Sequence, residues 1–483
     1  MSEIYVTTAC KEIEGRDPEA AYSAVRGENT YLLESSEGGE KTARYSFIGF
    51  NPVAKLTYCD HKVIFETTNP VLKRIETVGE DPLDVLRNVM FQFKAVKPSK
   101  TRFFGGFVGY VSYDIMEYYL KSIKTAHKGL KTPLYELVLA KNNIIFDHVE
   151  KKTCLISHEF TDKSQDINTK EVLKGLEKLS KDVIDCINQK DNICQHNLST
   201  LRKQEQLREI SSNVTRERFI DGVKKAKEYI KAGDIFQVVL SQRLETGFNG
   251  DIFDVYKTLK KINPSPYMYC IDLGERRIVG SSPEMLVRVE GRDVVTYPIA
   301  GTRPRGKTIE EDLKLEKEML SCEKERAEHV MLVDLGRNDI GRVARFGSVR
   351  VKKFMGVEKY SHVQHMVSEV EGFLRPEMDE FDALKSVFPA GTVSGAPKVR
   401  AMEIIDELEC SPRGVYAGAI GYFSFNHNMD MAISIRTIIF EKDKAYIQAG
   451  AGIVADSKPE TEFQETLNKA KALLNALKEV NDR

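Results

Sequence analysis

Tryptophan is absent from all 483 residues, and neither sign of charge is in surplus, with 71 Lys+Arg against 72 Asp+Glu. A balanced charge excludes the basic footprint that nucleic acid or a polybasic membrane contact demands. No apolar run is long enough to span a bilayer. The opening Met1-Ser-Glu-Ile-Tyr-Val6 lacks the basic and apolar regions of a signal peptide. The eight cysteines are scattered, with no CxxC and no metal-ligand spacing. They read as reduced thiols, so a cytoplasmic protein is expected.

What is present divides the chain unevenly. Residues 1–155 alternate short apolar runs with Gly- and Pro-bearing turns, as in Thr30-Tyr-Leu-Leu-Glu-Ser35 and Arg44-Tyr-Ser-Phe-Ile-Gly-Phe50. That pattern predicts strands, with helix confined chiefly to the stretch from Pro82 to Phe93. Residues 156–212 are polar, with a helical stripe of Val172, Leu173, Leu176, Leu179, Val183 and Ile187, and read as a linker. Residues 213–483 open on a helix from Thr215, its N-cap, to Lys231 before Gly233. Strand-like runs follow, then one long helical stretch over 309–335, a helix ending near Leu408, strands over 415–425, 429–440 and 444–455, and a closing helix from Pro459 to Val480. Strands in hairpin succession with helices inserted between groups predict an α+β fold with a large antiparallel sheet system.

Two glutamate pairs carry the strongest chemical signal. Glu325 and Glu328 sit in one predicted helix, Glu462 and Glu465 in another. The i, i+3 spacing puts both carboxylates of a pair on one helical face. Alone, each pair reads as a solvated surface; if the faces meet, four hard oxygen donors suit Mg²⁺. Ala390-Gly-Thr-Val-Ser-Gly-Ala-Pro-Lys398 runs into a helix and offers backbone N–H groups with the Thr392 and Ser394 hydroxyls to an anion, although it lacks a P-loop ending. Gln448-Ala-Gly-Ala-Gly-Ile-Val454 reads as a tight turn or a close backbone approach to a ligand. Arg436 is a cation in an apolar run, either a paired core arginine or a carboxylate clamp. His365 is a base candidate near neutral pH. Asp334-Leu-Gly-Arg-Asn-Asp339 reads as a buried scaffold network holding a helix end.

Taken in order, Gly233-Asp-Ile-Phe-Gln237, Asn263-Pro-Ser-Pro-Tyr-Met268, Ser282-Pro-Glu284, Pro298-Ile-Ala-Gly-Thr-Arg303, residues 334–343, Ala390 to Lys398, Gly450-Ala-Gly452 and Phe463-Gln-Glu465 resemble the chorismate-utilising enzymes, and within them the large subunits of anthranilate synthase. The resemblance covers most of residues 213–470. It implies that family's fold, a β-sheet or sandwich core with helices packed outside. It implies conversion of chorismate and ammonia to anthranilate and pyruvate through 2-amino-2-deoxyisochorismate, in tryptophan biosynthesis. Carried over by position, Glu328 and Glu465 hold Mg²⁺, supported by Glu325 and Glu462. Gly301, Thr302, Tyr416, Arg436, Gly450, Ala451 and Gly452 surround chorismate, with Thr392 from the other glycine loop. Glu284 protonates the departing C4 hydroxyl, and His365 removes the C2 proton. Feedback inhibition by L-tryptophan falls on Glu34, Ser35, Pro266, Tyr267 and Met268.

Two positions separate relatives. Isochorismate and salicylate synthases are expected to carry a lysine base where Gln237 stands, so ammonia rather than water is the expected nucleophile. Aminodeoxychorismate synthases read Pro-Ile-Lys-Gly-Thr where this chain has Ala300, which favours anthranilate; component I of those enzymes is the alternative. A non-catalytic tryptophan- or anion-sensing protein is the rival from another class, and retention of all four glutamates speaks against it. The chain has no Gly-x-Cys-x-Gly nucleophile turn. Ammonia is therefore expected from glutamine through a separate amidotransferase subunit in a hetero-oligomer.

Overall fold

The computed structural model describes residues 3–15, 17–35, 44–98, 101–123, 132–162, 169–188, 210–360 and 363–482. Of the expected linker, residues 163–168 and 189–209 lie outside these, as do the side chains of Val172, Leu173 and Ile187. Among the described residues, no helix is long and apolar enough to cross a membrane.

Two long strands organise the molecule. Tyr45–Cys59 and Tyr135–Asp147 pair antiparallel along their length, with a register shift between Pro52 and Ala54. Pro52 has no N–H to give to a ladder, so the bulge falls where pairing is already interrupted. The two halves of Tyr135–Asp147 then serve different neighbours. Residues 135–139 pair with Gly106–Val111, and residues 142–147 with Lys152–Thr161.

From Gly106–Val111 the sheet continues through Ala419–Ser424, Met429–Ile433, Met285–Glu290 and Asp293–Thr296 to Val363–Phe373. Val363–Phe373 in turn pairs with Arg350–Lys359 and Ile299–Pro304. From Tyr45–Cys59 it continues the other way, through Tyr31–Glu34, Tyr267–Asp272, Arg276–Ser282 and Thr437–Glu441 to Lys444–Ile453 and Gln237–Gly247. Strands from the first 155 residues thus hydrogen-bond to strands of the second half at two seams.

The two arms face each other over a core of Tyr31, Phe47, Phe103, Tyr110, Tyr269, Ile278 and Tyr422. Each such side chain, once buried, contributes roughly 2–3 kcal/mol against the entropy of ordering it. Helices cover the outer faces. Pro18–Val25, Ile252–Ile262 and Pro459–Asn481 pack with Tyr22, Tyr256 and Leu477 on one side. Pro82–Phe91, Glu323–Gly341 and Glu380–Val387 pack with Leu86, Val333 and Phe381 on the other. The expected α+β architecture holds.

Two sequence expectations need correction. The stretch 309–335 forms two helices, Ile309–Ser321 and Glu323–Gly341, separated at Cys322, whose backbone is extended. Helical periodicity runs through the break because both helices pack the same way. The run 429–440 forms two strands, Met429–Ile433 and Thr437–Glu441, with Arg436 between them at φ +51°. A left-handed residue cannot continue a strand.

Candidate active site

That left-handed turn puts Arg436 on the wall of a cavity of about 410 Å³. Burial holds the guanidinium below the ordinary arginine pKa, while Tyr416 and the Glu465 carboxylate favour its charge. Arg436 has no ion-pair partner among the described residues. A planar cation left without a carboxylate inside a cavity is built for a carboxylate ligand.

Glu284 stands on the same wall. It follows Arg276–Ser282, and its carbonyl accepts the Ile433 N–H at 3.0 Å, which anchors it beside the broken strand. The Thr392 hydroxyl donates to Glu284 Oε1 at 3.0 Å. Burial pushes the Glu284 carboxyl up to about 8, and the Thr392 hydrogen bond only partly opposes it. A carboxylic acid still protonated near neutral pH can donate a proton to a leaving group.

The floor comes from paired strands. Val239 faces Gly452 and Ser241 faces Gly450. A Cβ on Gly450 would stand 2.6 Å from the Tyr416 hydroxyl, and one on Gly452 would stand 2.7 Å from Gln237 Nε2. The glycines are there because Tyr416 and Gln237 lie against the bare strand. Gln237 Oε1 is buried without a hydrogen-bond partner.

Gly301, at φ +69°, is the extra residue of a bulge between Ala300 and Thr302, which face successive partners Met366 and His365. The bulge turns Thr302 toward the cavity and sets its hydroxyl 2.9 Å from His365 Nδ1. Gly301 O lies 3.4 Å from the same nitrogen. Burial holds His365 below the usual histidine pKa, so its ring is neutral at neutral pH and able to accept a proton.

The two helices bearing glutamates close the remaining side. Glu328, Glu462 and Glu465 all line the cavity. Burial first, then the charges of Glu325 and Glu465, raise Glu328 above the usual carboxylate range. Burial and Glu465 raise Glu462. Glu325 lies behind the wall: Arg303 Nη1 reaches its Oε1 at 2.6 Å, while its Oε2 is buried and unpaired. Among the described residues no three His, Cys, Asp or Glu groups stand at chelating distance. Glu328, Glu462 and Glu465, hard-oxygen donors around one space with the Glu465 charge helping to raise the other two, nevertheless match the donor preference of a divalent cation.

The family model of the chorismate binding enzymes matches residues 28–475. The chain belongs to this family. It is 48% identical to anthranilate synthase component 1 of Acetivibrio thermocellus over 94% of this chain and 90% of that protein. With the same component of Aquifex aeolicus the identity is 47%, over 94% and 90%. The crystal structure of anthranilate synthase component I from Streptococcus pneumoniae superposes with a TM-score of 0.77 at 38% identity, covering 95% of this chain and 97% of that one. The menaquinone-specific isochorismate synthase of Escherichia coli, at 17% identity and a TM-score of 0.70, shares the fold.

Of the family positions expected from sequence, Glu284, Thr302, Glu328, Thr392, Tyr416, Arg436, Gly450, Gly452, Glu462 and Glu465 line the one cavity. Gly301, Glu325 and His365 stand behind it through Thr302 and Arg303. Ala451 faces the other side, in the core with Val238 and Ile453. Two lysines were missed. Lys469 pairs with Glu465 at 2.6 Å and donates to Gly450 O at 2.9 Å, and Lys324 also lines the cavity. The i, i+4 spacing of Glu465 and Lys469 was visible in the sequence.

The second expected site also assembles in part. Glu34 faces Met268 across paired strands, and Glu34, Ser35, Tyr267 and Met268 line a slot of about 50 Å³. Pro266 does not line it. The Glu34 carboxylate takes the Tyr256 hydroxyl and lies 3.1 Å from Lys260 Nζ.

Proposed function

We propose that this chain is the chorismate-converting subunit of an anthranilate synthase. The observation that carries the reading is Glu284, a carboxyl held protonated by burial, set in one cavity with an arginine that has no ion-pair partner among the described residues and with Glu328, Glu462 and Glu465. Arg436, Tyr416 and the strand at Gly450 bind and orient the substrate. Glu284 donates its proton to the C4 hydroxyl, which leaves as water while ammonia forms a bond to C2. His365, through the Thr302 side of the cavity, accepts the C2 proton; pyruvate departs and the ring becomes aromatic. Chorismate and ammonia are thereby accounted for as anthranilate, pyruvate and water. Glu328 and Glu465, with Glu462 and Glu325, would hold Mg²⁺, which when bound neutralises the substrate carboxylate and polarises it.

Gln237 cannot act as a general base for water, which supports ammonia as nucleophile. A glutamine-hydrolysing partner subunit would supply that ammonia. Residues 1–155 would form a domain sensing L-tryptophan at the slot between Glu34 and Met268, 156–212 a linker, and 213–483 the catalytic domain. An indole exceeds about 50 Å³, so binding would part the seam between Tyr31–Glu34 and Tyr267–Asp272. That gives tryptophan differential affinity for two states, the requirement for transmitted inhibition. The test is purified chain with chorismate, Mg²⁺ and ammonium at mildly alkaline pH, followed by anthranilate fluorescence. A product consisting only of 4-amino-4-deoxychorismate overturns the reading.

A further inference from the structure

Lys398 is the first residue of the helix Lys398–Leu408, where no side chain caps the amide end and no acidic residue occupies the first turn. A cation there opposes the helix dipole. Its side chain is nearly buried, at 11% exposure. The ammonium lies 2.8 Å from Asp339 Oδ2 and donates to Val387 O at 2.7 Å. Burial pulls the lysine pKa down and the aspartate pKa up, and each opposes the shift of the other. Asp339 Oδ1 remains buried without a partner. A buried pair left incomplete in this way is poor value as a source of stability. Its geometry gives another reason for it.

Val387 ends the helix Glu380–Val387, and Lys398 begins the next. One ammonium therefore joins the two ends of the segment 388–397, whose middle carries Thr392. Asp339 fixes that closed segment to the helix Glu323–Gly341. Positions 325, 328, 332, 335 and 339 of that helix advance in steps of three and four and share one face. Glu328 and Leu332 line the cavity, Leu335 lies so close to Gly391 that a Cβ there would stand 2.1 Å from its Cδ2, and Asp339 holds Lys398. The helix that presents a cavity carboxylate at one end thus also sets the position of the segment that presents Thr392 to Glu284.

We infer that Lys398, paired with Asp339, is a positioning residue for the reaction, holding Thr392 against Glu284 in register with Glu328. It acts through the 388–397 segment and touches no reacting atom. The inference rests on the proposed chorismate reaction, and wild-type anthranilate formation tests that reading separately.

The experiment compares wild type with Lys398→Met, Lys398→Arg, Asp339→Asn and Thr392→Val in the full chain, with chorismate, Mg²⁺ and ammonium. Circular dichroism and thermal unfolding report folding. Displacement of an aligned group by about 1 Å costs on the order of 10²-fold. Lys398→Met and Asp339→Asn are expected to lower kcat by roughly that factor, with KM for chorismate changed by less than about threefold. The alkaline limb of kcat/KM should also move to higher pH, as in Thr392→Val, because Glu284 loses a hydrogen bond to its ionised form. Lys398→Arg should restore part of kcat and return the limb toward wild type. If Lys398→Met does not fold, Asp339→Asn carries the decision. A folded Lys398→Met or Asp339→Asn chain with wild-type kcat and an unmoved limb overturns the inference. A loss of kcat with the limb unmoved overturns it too, since general destabilisation gives that result.

Discussion

Glu284 and Glu34 are both buried glutamates at the ends of strands, and their surroundings are opposite. Glu34 meets the Tyr256 hydroxyl and the Lys260 ammonium, which also reaches Glu19 at 2.8 Å. Glu284 meets a single threonine hydroxyl and is forced up to about 8. The cavity as a whole repeats the contrast. Its arginine lacks an acid and its glutamates crowd each other, whereas the slot at Met268 is small and its charges are matched. Unmatched buried charge is expensive to maintain, so it marks where a ligand completes the electrostatics. Matched charge marks where the fold itself is being held.

The sharpest way to break this contrast is Glu284→Gln. Anthranilate formation should fall by roughly 10²- to 10⁴-fold, the usual weight of a general acid, with thermal stability unchanged or raised. Retained turnover would remove Glu284 from the proposed chemistry. Glu328→Gln or Glu465→Gln comes next, with an expected loss of ~10²-fold or more in Mg²⁺-dependent turnover. Isothermal titration with Mg²⁺ gives a second readout, and unchanged binding in both variants would exclude them as ligands.

A stability measurement against pH tests the same carboxyl without substrate. Between 4.5 and about 8 the folded chain keeps a proton on Glu284 that the unfolded chain has released. Unfolding therefore releases a proton, and stability falls as pH rises through this window, by roughly 1.4 kcal/mol per pH unit from this group. Glu284→Gln should remove that slope; an identical pH–stability curve for the variant contradicts the assignment.

The slot should behave in reverse. Glu34→Gln is expected to lower stability by about 1.5–3 kcal/mol, the weight of a hydrogen bond to a charged group, and to leave ammonia-dependent turnover within about threefold. Ser35→Arg should have the smallest effect on turnover, yet abolish inhibition by tryptophan in steady-state assays. Inhibition persisting in that variant would move the sensing site elsewhere.

Much of the scaffold was legible in the chain. Thr215 does cap a helix at Arg216–Ala232, and Gly233 ends it at φ +86°, since hydroxyl capping and left-handed glycine are local effects. The closing helix expected over Pro459 to Val480 is found at Pro459–Asn481, with proline in its first turn. The pattern around Pro82 gave Pro82–Phe91, but Pro18–Val25 was missed because eight residues carry too little periodicity to read. The 334–339 stretch was read as a buried scaffold network, and only Asp339 fits that reading, holding Lys398; Asp334 and Arg337 are exposed and pair with each other, because they fall on the solvent side of Glu323–Gly341.

The cavity itself was legible only through resemblance. Spacing put each glutamate pair on a helical face, but the convergence of Glu328 and Glu465 on one cavity depends on where the sheet places the helices Glu323–Gly341 and Pro459–Asn481. Arg436 shows the limit most clearly. Its identity as a cation in an apolar run was visible, whereas its left-handed backbone, and hence its aim into the cavity, follows from Thr437–Glu441 pairing with Arg276–Ser282 while Met429–Ile433 pairs with Met285–Glu290. Most helices and strands, and the side chains able to carry charge, were legible in the chain, because capping, turn chemistry and periodicity depend on neighbours a few positions away; the break at Cys322 and the turn at Arg436 were not. Which charges are buried without a partner follows from the packed fold, because desolvation and pairing are set by residues hundreds of positions apart.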